Sequence, residues 1–592
     1  ILINKGVFMC GIVGYIGEYV KVNLIQGLEK LEYRGYDSAG MVISTNQNFI
    51  IEKAVGEVAE LKKNLDENDY VGLGIAHTRW ATHGEISIEN CHPHFSSDGI
   101  VALVHNGIIE NFESLKTKLE NKGEYFYGQT DSEVIAKMFT GKITLQNLKD
   151  VIDKLEGSYA LAIISKKNDE IFFAKNKSPL YISKNEDCSF VSSDPSVFSG
   201  RCKEFYSIED GEYGFISRQK FEVFDKDGKK VEKSAKELDF DFSDSKKEHY
   251  NHFMLKEINE SNKVLENIIA HYEKKEAFDK LNGLNVKKYN RIYLVGCGTA
   301  YHAGLIGEKY LKNRLKIDCY SRKASEFIYD NDILDEKSLC IFISQSGETA
   351  DTISALEYVK TFNATTLSLV NVPYSTLAGK SDYVLNICAG QEKAVASTKA
   401  YFAQCLVLFI LASYFNNEDF LSILKNFQID YGDDKSIITL AKYLSKHEKV
   451  FFIGRGFDYI TALEASLKLK EISYIFSCAE CSGELKHGSL ALIDNGLPVI
   501  VIANDKNCFA KTLNNAYEVK SRGGDLIVFS SIDIDKEIED NFKFIIPIKK
   551  CYDDLMPIQT IISLQKLAYY VAVERKLNPD KPRNLAKSVT VE

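Results

Sequence analysis

The pattern of apolar and polar positions predicts strands and amphipathic helices in alternation along the chain. Residues 12–16 form a short apolar run typical of a buried strand, and residues 22–31 carry apolar side chains at helical spacing. The runs 41–44 and 101–104 predict two further strands. The longest apolar run, at about 401–415, is too short to span a bilayer and therefore predicts a buried helix.

The second half of the chain repeats one pattern. A strand, a glycine turn and a helix occur at 291–300 and again from 449, with Gly296 and Gly454 standing 158 residues apart. Each copy is followed by helices that alternate with apolar strands, such as 339–343 and 497–503. This pattern is typical of two doubly wound α/β subdomains. A chain of 592 residues exceeds what one core supports, so we expect two to four domains.

Composition narrows the class of protein. Charged residues make up 26% and hydrophobic residues 45% of the chain, which is ordinary for a globular protein. The net charge is −10 and no basic run is dense enough to suggest nucleic acid. The sequence shows no secretory signal and no transmembrane segment, and its 13 scattered cysteines suit a reducing compartment. We therefore expect a cytoplasmic protein without nucleic-acid or membrane partners.

Cys10, which follows Met9, is the first candidate catalytic group. If translation starts at Met9 and that methionine is removed, a thiol and a free α-amine share one residue. The α-amine titrates near pH ~8 and can act as a base, which activates the thiol as a nucleophile. We therefore treat residues 1–8 as an upstream extension outside the fold. The alternative is a buried structural cysteine at the start of a strand.

Further polar groups in the first third fit an amide substrate. A thiolate that attacks an amide generates an oxyanion, for which the Asn106 carboxamide and the Gly107 N–H are suitable donors. Arg79 could hold a substrate carboxylate, and Asp131 could hold an ammonium group. Two alternatives stay open, because Asn-Gly is commonly a turn and Asp131 could simply cap a helix.

Four motifs together resemble the glutaminase domain of the amino-terminal-nucleophile amidotransferases. They are Cys10-Gly-Ile-Val-Gly, Tyr33-Arg-Gly-Tyr-Asp-Ser-Ala-Gly, His77-Thr-Arg-Trp-Ala-Thr-His-Gly and His105-Asn-Gly. The resemblance implies a four-layer α/β/β/α fold, with Cys10 as nucleophile and its α-amine as base. It assigns Asn106 and Gly107 to the oxyanion hole. It implies a glutamine pocket lined by Arg79, Trp80, Thr82, His83 and Asp131, with Trp80 also gating an ammonia channel.

Metal and dinucleotide sites are weaker interpretations. Five of the 11 histidines lie between residues 77 and 105, but without a helical i, i+4 pair or an acidic ligand motif, so loop hydrogen bonding is favoured. Cys478 and Cys481 have CxxC spacing without a second pair nearby. The Gly-x-Gly turn at 296–298 is followed by an acid at Asp318, but Tyr301 breaks the dinucleotide fingerprint.

The segment 344–349, Ser-Gln-Ser-Gly-Glu-Thr, predicts an anion site where a strand gives way to a helix. An ordinary capped helix is the alternative. One helix face carries Glu464, Lys468 and Glu471. This face is either a solvated set of salt bridges or a group that transfers protons in catalysis. His487 could open a sugar ring. The tail around Lys587 has apolar residues and is expected to dock, which would let a buried Lys587 form a Schiff base.

These later motifs resemble the paired sugar-isomerase domains of the isomerising glutamine–fructose-6-phosphate aminotransferase family. The resemblance implies transfer of the glutamine amide nitrogen to fructose-6-phosphate, isomerisation to glucosamine-6-phosphate, no metal or organic cofactor, and a homodimer. It implies Lys587 as Schiff-base lysine, Glu471 as isomerisation base, Lys468 as its neighbour and His487 as ring-opening residue from the partner subunit. Its sugar-phosphate ligands are Thr299, Ser344, Gln345, Ser346, Thr349, Val395, Ser397 and Ala586. The sequence departs from the family pattern at Ser489, where proline is usual, and around 478–481.

The predicted architecture is thus a four-layer α/β/β/α glutaminase domain followed by two doubly wound parallel-sheet sugar-isomerase subdomains. The predicted boundaries are 1–9 (extension and initiator), 10–240 (glutaminase), 241–274 (linker and leading helix), 275–430 and 431–579 (sugar isomerase), and 580–592 (catalytic tail). Two other functions stay open. One is a different amidotransferase, for which no pyrophosphate or ATP motif is present, and the other is a sugar-phosphate sensor without turnover.

Overall fold

The structure is a computed structural model that describes residues 10–45, 48–80, 84–238 and 247–589. The first of two compact units holds the described residues up to 238 together with Ser588 and Val589, and the second holds residues 247–587. Of the segment 241–274, predicted as linker and leading helix, residues 241–246 lie outside the described residues. Across the described ranges, no helix combines the length and apolar composition needed to span a bilayer.

Two antiparallel sheets form the first unit. The described strands of the first sheet, in spatial order, are Lys236–Glu237, Glu204–Ser207, Tyr181–Lys184, Ser189–Ser192, Gly11–Gly17, Gly72–Arg79, Ser38–Thr45 and Asn48–Val55. Those of the second are Lys230–Val231, Phe221–Phe224, Tyr213–Ile216, Ile171–Asn176, Gly157–Ser165, Val101–Ile109 and His94–Phe95. The helices are Val20–Leu31, Val58–Lys63, Phe112–Glu120, Asp131–Lys137 and Leu145–Ile152.

The sheets pack face to face, with helices on both outer faces. Strand Val101–Ile109 shows why, because its apolar side chains alternate between two cores. Ala102 and Val104 join the core between the sheets, and Val101 and Leu103 join the core under the helices. Helix Val20–Leu31 packs on the other outer face, against the central strands of the first sheet. The predicted four-layer α/β/β/α arrangement is confirmed.

The second unit contains two parallel sheets with the same strand order, 2-1-3-4-5 within each sheet. The strands of the first, in spatial order, are Asp318–Lys323, Arg291–Gly296, Ser338–Ser344, Thr365–Val370 and Tyr383–Asn386. Those of the second are Phe476–Cys481, Lys449–Gly454, Pro498–Ile502, Asp525–Ser530 and Phe542–Pro547. The predicted pair of doubly wound subdomains is confirmed.

Buried helices join the two subdomains into one core. Helix Lys399–Phe415 is buried along nearly its whole length, as its apolar sequence predicts, and contributes to a cluster shared by both subdomains. Separate cores cover the outer face of each sheet. The other helices of this unit are Phe253–Asn259, Ser261–Tyr272, Thr299–Leu315, Ala324–Phe327, Ala350–Lys360, Thr376–Lys380, Phe420–Lys425, Asp434–Leu444, Phe457–Ser473, Phe509–Lys520, Lys536–Glu539 and Met556–Glu574.

Candidate active sites

Cys10 lies directly before strand Gly11–Gly17, in the middle of the first sheet. Its Sγ accepts a hydrogen bond from the backbone N–H of Trp80 at 3.4 Å. Burial raises the pKa of the Cys10 thiol to about 11, although the Trp80 backbone and the nearby Arg79 guanidinium lower it. The group is therefore a thiol at neutral pH, and a nearby base is needed to make it a nucleophile.

Asn106 and Gly107 do not form a turn. They lie within strand Val101–Ile109, so the turn alternative is wrong. Gly107 has φ +124°, and a Cβ there would lie 2.1 Å from the carbonyl oxygen of Ser158, so this close pairing requires glycine. The Asn106 Nδ2 donates to the carbonyl oxygen of Cys10 at 2.8 Å. This contact places a carboxamide donor beside the thiol.

His77, to which we assigned no role of its own from the sequence, fixes the direction of the Asn106 carboxamide. Its Nε2 lies 3.0 Å from the Asn106 Oδ1 and 3.0 Å from the carbonyl oxygen of His105. Both neighbours are acceptors, so Nε2 must carry the hydrogen. Burial lowers the pKa of His77 to about 3, which keeps the ring neutral. The Asn106 oxygen thus faces His77 and its NH₂ faces Cys10.

The other predicted glutamine-pocket residues lie on neighbouring elements. Arg79 ends strand Gly72–Arg79 and is buried, and the buried Trp80 ring meets Tyr36 edge-on at 5.1 Å. Asp131 accepts from the backbone N–H of Ile109 at 2.9 Å. The helix cap is Thr130, whose side chain accepts from Glu133, so Asp131 is not the cap. Thr82 and His83 lie outside the described residues.

The described histidines of the 77–105 cluster make hydrogen bonds and ring contacts. His92 stacks on His77 at 3.9 Å, and its Nδ1 accepts from the backbone N–H of His105 at 3.3 Å. His94 contacts the hydroxyl of Thr130 at 3.0 Å, which ties the ring to the following helix. Burial lowers the pKa of His92 and His94 well below the ordinary value, so these rings are neutral.

In the second unit, the predicted anion site lies where the strand order reverses. Ser344 ends strand Ser338–Ser344, and Thr299 opens the helix after the adjacent strand Arg291–Gly296. The carboxyl ends of these strands form the crevice where open α/β sheets bind ligands. The predicted ligands Gln345, Ser346 and Thr349 follow Ser344 in the turn that leads into helix Ala350–Lys360.

Hydroxyl groups and backbone N–H groups shape this turn. The Ser344 Oγ accepts from Gly347 N–H at 2.9 Å and lies 3.3 Å from the Thr349 hydroxyl. The Thr349 side chain does not cap its helix, although the residue occupies the N-cap position. Gly347 has φ +68°, and a Cβ there would lie 2.0 Å from the Ser375 Oγ. The turn therefore presents polar groups at a helix amino terminus, the arrangement that binds phosphate.

Glu464, Lys468 and Glu471 form a buried charge cluster beside Thr299. Lys468 Nζ lies 2.8 Å from Glu471 and 3.4 Å from Glu464, and it donates to the Thr299 hydroxyl at 2.9 Å. Lys468 and Glu464 have 1% and 0% side-chain exposure, so a solvated salt-bridge face is wrong. Burial would lower the pKa of Lys468, but the two carboxylates raise it. His302, which the sequence did not single out, contacts Glu464 at 2.7 Å.

Lys587 is paired with a residue that no sequence motif indicated. Its Nζ donates to Glu392, and the side chains are 3% and 0% exposed. The predicted ligand Ser397 donates to the same carboxylate at 3.0 Å, and Val395 N–H bonds the carbonyl oxygen of Asp580 in the tail. The expected docking of the tail is observed within this unit, and Ala586 beside Lys587 is half-buried.

His487 is not brought to these groups within one chain. It ends the short helix Leu485–His487, its side chain is exposed, and within the described ranges it makes no hydrogen bond or ion pair with Lys587 or Glu471. Ser489 opens the next short helix, Ser489–Leu492. The Ser489 hydroxyl donates to Glu480 at 2.9 Å and ties the loop to the strand that holds Cys478 and Cys481.

The second subdomain fills the equivalent crevice with its own carboxylate. Asp458 stands 158 residues after Ala300 and accepts from the backbone N–H groups of Asn504 at 2.8 Å and Asp505 at 3.1 Å. The sheet registers place these N–H groups at the positions of Gln345 and Ser346. The Ala300 methyl group cannot accept a hydrogen bond. Ala300 therefore supplies no carboxylate at this position of the first subdomain.

Comparison with known proteins finds matches to both units of the chain. A family model described as an SIS domain matches residues 285–414 and 443–574, and one described as a glutamine amidotransferase domain matches residues 77–199. The chain is 40% identical to the isomerising glutamine–fructose-6-phosphate aminotransferase of Fusobacterium nucleatum and 42% identical to that of Caldanaerobacter subterraneus. Each match covers 99% of this chain and 100% of the relative.

A solved structure matches the second unit. The carboxy-terminal domain of glucosamine-fructose-6-phosphate aminotransferase from Francisella tularensis is 35% identical, with a TM-score of 0.52, over 57% of this chain and all of that chain. These full-length matches near 40% identity, together with the two kinds of matched domain, confirm the family resemblance that the sequence motifs indicated. The chain therefore belongs to the isomerising glutamine–fructose-6-phosphate aminotransferase family.

Proposed function

We propose that this chain transfers the amide nitrogen of glutamine to fructose-6-phosphate and isomerises the product to glucosamine-6-phosphate. The observation that carries the proposal is the Lys468 ammonium group, which lies 2.9 Å from Thr299 at the phosphate crevice and 2.8 Å from Glu471. Anion-binding and proton-transfer groups thus meet at one place. A thiol with an adjacent carboxamide donor supports the nitrogen-releasing half.

In the first half-reaction, Cys10 is the nucleophile and its α-amine, once exposed, takes the thiol proton. Sulfur attacks the amide carbon, and the Asn106 NH₂ and Gly107 N–H stabilise the oxyanion. The amide nitrogen takes a proton and leaves as ammonia, and water then hydrolyses the thioester to glutamate. Arg79 and Asp131 hold the carboxylate and the ammonium group of the substrate, and we keep Trp80, Thr82 and His83 as further pocket residues.

In the second half-reaction, His487 of a partner subunit opens the sugar ring, which requires a homodimer. Lys587 then forms an imine with the ketose, and ammonia displaces the lysine. Glu471, with its charge balanced by Lys468, moves a proton between the two adjacent sugar carbons. The phosphate is held by groups of the first sugar-isomerase subdomain and by the loop near the tail: Thr299, Ser344, Gln345, Ser346, Thr349, Val395, Ser397 and Ala586.

The test is product formation from glutamine and fructose-6-phosphate, using protein whose amino terminus has been read by intact mass. Glucosamine-6-phosphate made by protein that begins at Cys10 is the expected result. Protein that begins at Cys10, binds fructose-6-phosphate and makes no product would instead be a sensor. Glutaminase activity without amino-sugar formation would point to a different acceptor.

A further inference from the structure

Glu392 is the carboxylate against which the tail lysine packs. Its side chain is 0% exposed, and the Lys587 Nζ donates to its Oε2. The same oxygen accepts the Ser397 hydroxyl at 3.0 Å. Glu392 and Lys587 are 195 positions apart in the sequence, so their contact joins the tail to an internal loop of the same unit.

Backbone donors hold Glu392 in place independently of the lysine. Its Oε1 accepts from Thr398 N–H at 2.8 Å and from Ala400 N–H at 3.0 Å, at the start of helix Lys399–Phe415. Burial acts to raise the pKa of Glu392, but the Lys587 ammonium and these N–H groups bring it below the ordinary value. The carboxylate is therefore ionised and preorganised, with one oxygen fixed and the other presented to Lys587.

The neighbouring charges leave Glu392 as the counter-ion of Lys587. Lys399 is paired with Glu260 at 2.6 Å. Burial, together with the charge of Glu392, raises the pKa of Glu257 to about 8, so Glu257 is largely protonated at neutral pH. Lys468, the lysine of the proton-transfer cluster, also lies within the field of Glu392.

A protonated lysine is not a nucleophile, so the ion pair must release a proton before an imine can form. Resting on the proposed function, we propose that Glu392 is a proton-transfer residue that anchors Lys587 at the sugar site and holds its proton while the amine reacts. The carboxylate takes one proton from the ammonium, and the amine nitrogen bonds to the ketone carbon. The nitrogen passes a second proton to the former carbonyl oxygen, and Glu392 returns the first, so that this oxygen leaves as water. The iminium nitrogen keeps the third hydrogen and faces the ionised Glu392.

This role differs from simple stabilisation. A buried ion pair contributes little net stability compared with a well-packed apolar pair, whereas removal of one partner leaves an uncompensated charge. A glutamine in place of Glu392 would preserve the shape and could still accept from Thr398 and Ala400. It could not accept and return a proton.

The experiment measures imine formation directly in the full-length protein. Fructose-6-phosphate and borohydride are added, and the reduced adduct on the Lys587 peptide is followed by mass spectrometry from pH 7 to pH 9. We expect Glu392→Gln to lower the trapping rate about 100-fold at pH 7, as for loss of a proton-transfer group. Because loss of the counter-ion favours the neutral amine, the residual rate of Glu392→Gln should vary little with pH, whereas that of the unmodified protein should rise toward pH 9. Glu392→Asp should lie between them.

Two controls separate chemistry from folding. Glu273→Gln removes a carboxylate from an exposed lysine–glutamate ion pair of the same unit, in which Lys425 and Glu273 lie 2.6 Å apart. This variant should form the reduced adduct at the unmodified rate. Sorbitol-6-phosphate has no carbonyl group and cannot form an imine. It should raise the midpoint of thermal unfolding of every variant in which the proposed phosphate site, the turn after Ser344, is intact. Should Glu392→Gln fail this folding check, Glu392→Asp decides the question.

Trapping at the unmodified rate and pH profile in a folded Glu392→Gln variant, or in Glu392→Asp if that variant decides, would overturn the inference. Absence of a Lys587 adduct in the unmodified protein would overturn it together with the imine assignment. In that case, product formation from glutamine and fructose-6-phosphate would still test the overall reaction separately.

Discussion

His77 Nε2 lies 3.0 Å from Asn106 Oδ1, and this contact orients a carboxamide whose other end lies 2.8 Å from the Cys10 carbonyl oxygen. An amide can flip with little steric change, and the flipped form would direct an oxygen toward the thiol. The neutral His77 ring donates a hydrogen bond that only the correct orientation accepts. The donor in the proposed oxyanion hole is therefore fixed before substrate arrives.

Replacement of His77 by leucine should lower the glutaminase kcat about 10- to 100-fold with little change in KM, because the Asn106 carboxamide loses its orienting donor. His77→Gln, whose side-chain NH₂ can reach a similar position, should recover most of the rate. Steady-state glutamate release measures both variants. Equal loss in leucine and glutamine variants would show that His77 acts only through packing.

The buried histidines should make the first unit sensitive to acid. The pKa of His77 is about 3 in the folded protein and near 6.5 in an unfolded chain, so the unfolded state binds the proton first as pH falls. Stability is therefore fully present above pH ~6.5 and should fall by about 1.4 kcal/mol per pH unit toward pH 3 for this group. Calorimetric unfolding of the unmodified protein and of His77→Gln measures the difference, and parallel slopes would contradict it.

Substitutions at Cys10 and Lys587 should separate the two half-reactions. Cys10→Ala should abolish glutamine-dependent synthesis yet leave sugar-phosphate binding intact, because the proposed phosphate site, the turn after Ser344, belongs to the second unit. Lys587→Ala should block synthesis while glutamate release persists. Coupled assays of glutamate and glucosamine-6-phosphate measure both variants. Full synthesis by the Lys587 variant would exclude the imine.

Gly347→Ala should selectively damage the proposed phosphate site, the turn after Ser344. A Cβ at this position, with φ +68°, would lie 2.0 Å from the Ser375 Oγ, so the turn must shift. We expect the KM for fructose-6-phosphate to rise at least about tenfold, with glutamate release unchanged. Gly379→Ala, on the nearby helix Thr376–Lys380, is the matched control because a Cβ there meets no atom within 4 Å. An equal rise in both variants would refute the steric explanation.

Local sequence signals predicted those parts of the sites that depend on local structure. The polar turn after Ser344 is signalled by residues next to one another, and the structure has this turn at the end of the strand. The sequence leaves the Asn106-Gly107 pair ambiguous because its conformation depends on pairing with Ala160 and Tyr159, which are distant along the chain. No local pattern contains that information.

Burial and long-range partners were likewise hidden from the sequence. The spacing of Glu464, Lys468 and Glu471 predicts one helix face, but whether that face meets solvent depends on the helices packed against it. Glu392 lies in a loop without periodicity, and its partner is near the chain end. The roles assigned to these groups stay predictions, whereas their proximity is observed.

The Asp458 carboxylate accepts hydrogen bonds from the N–H groups of Asn504 and Asp505 and so occupies the crevice of the second sugar-isomerase subdomain. An incoming dianion would have to expel a buried acid that is covalently part of the chain and cannot diffuse away. A calorimetric titration should therefore count one sugar phosphate per polypeptide, although the fold occurs twice. The second subdomain therefore does not need to bind a ligand. It instead supplies helix Phe457–Ser473, whose charged residues face the first subdomain.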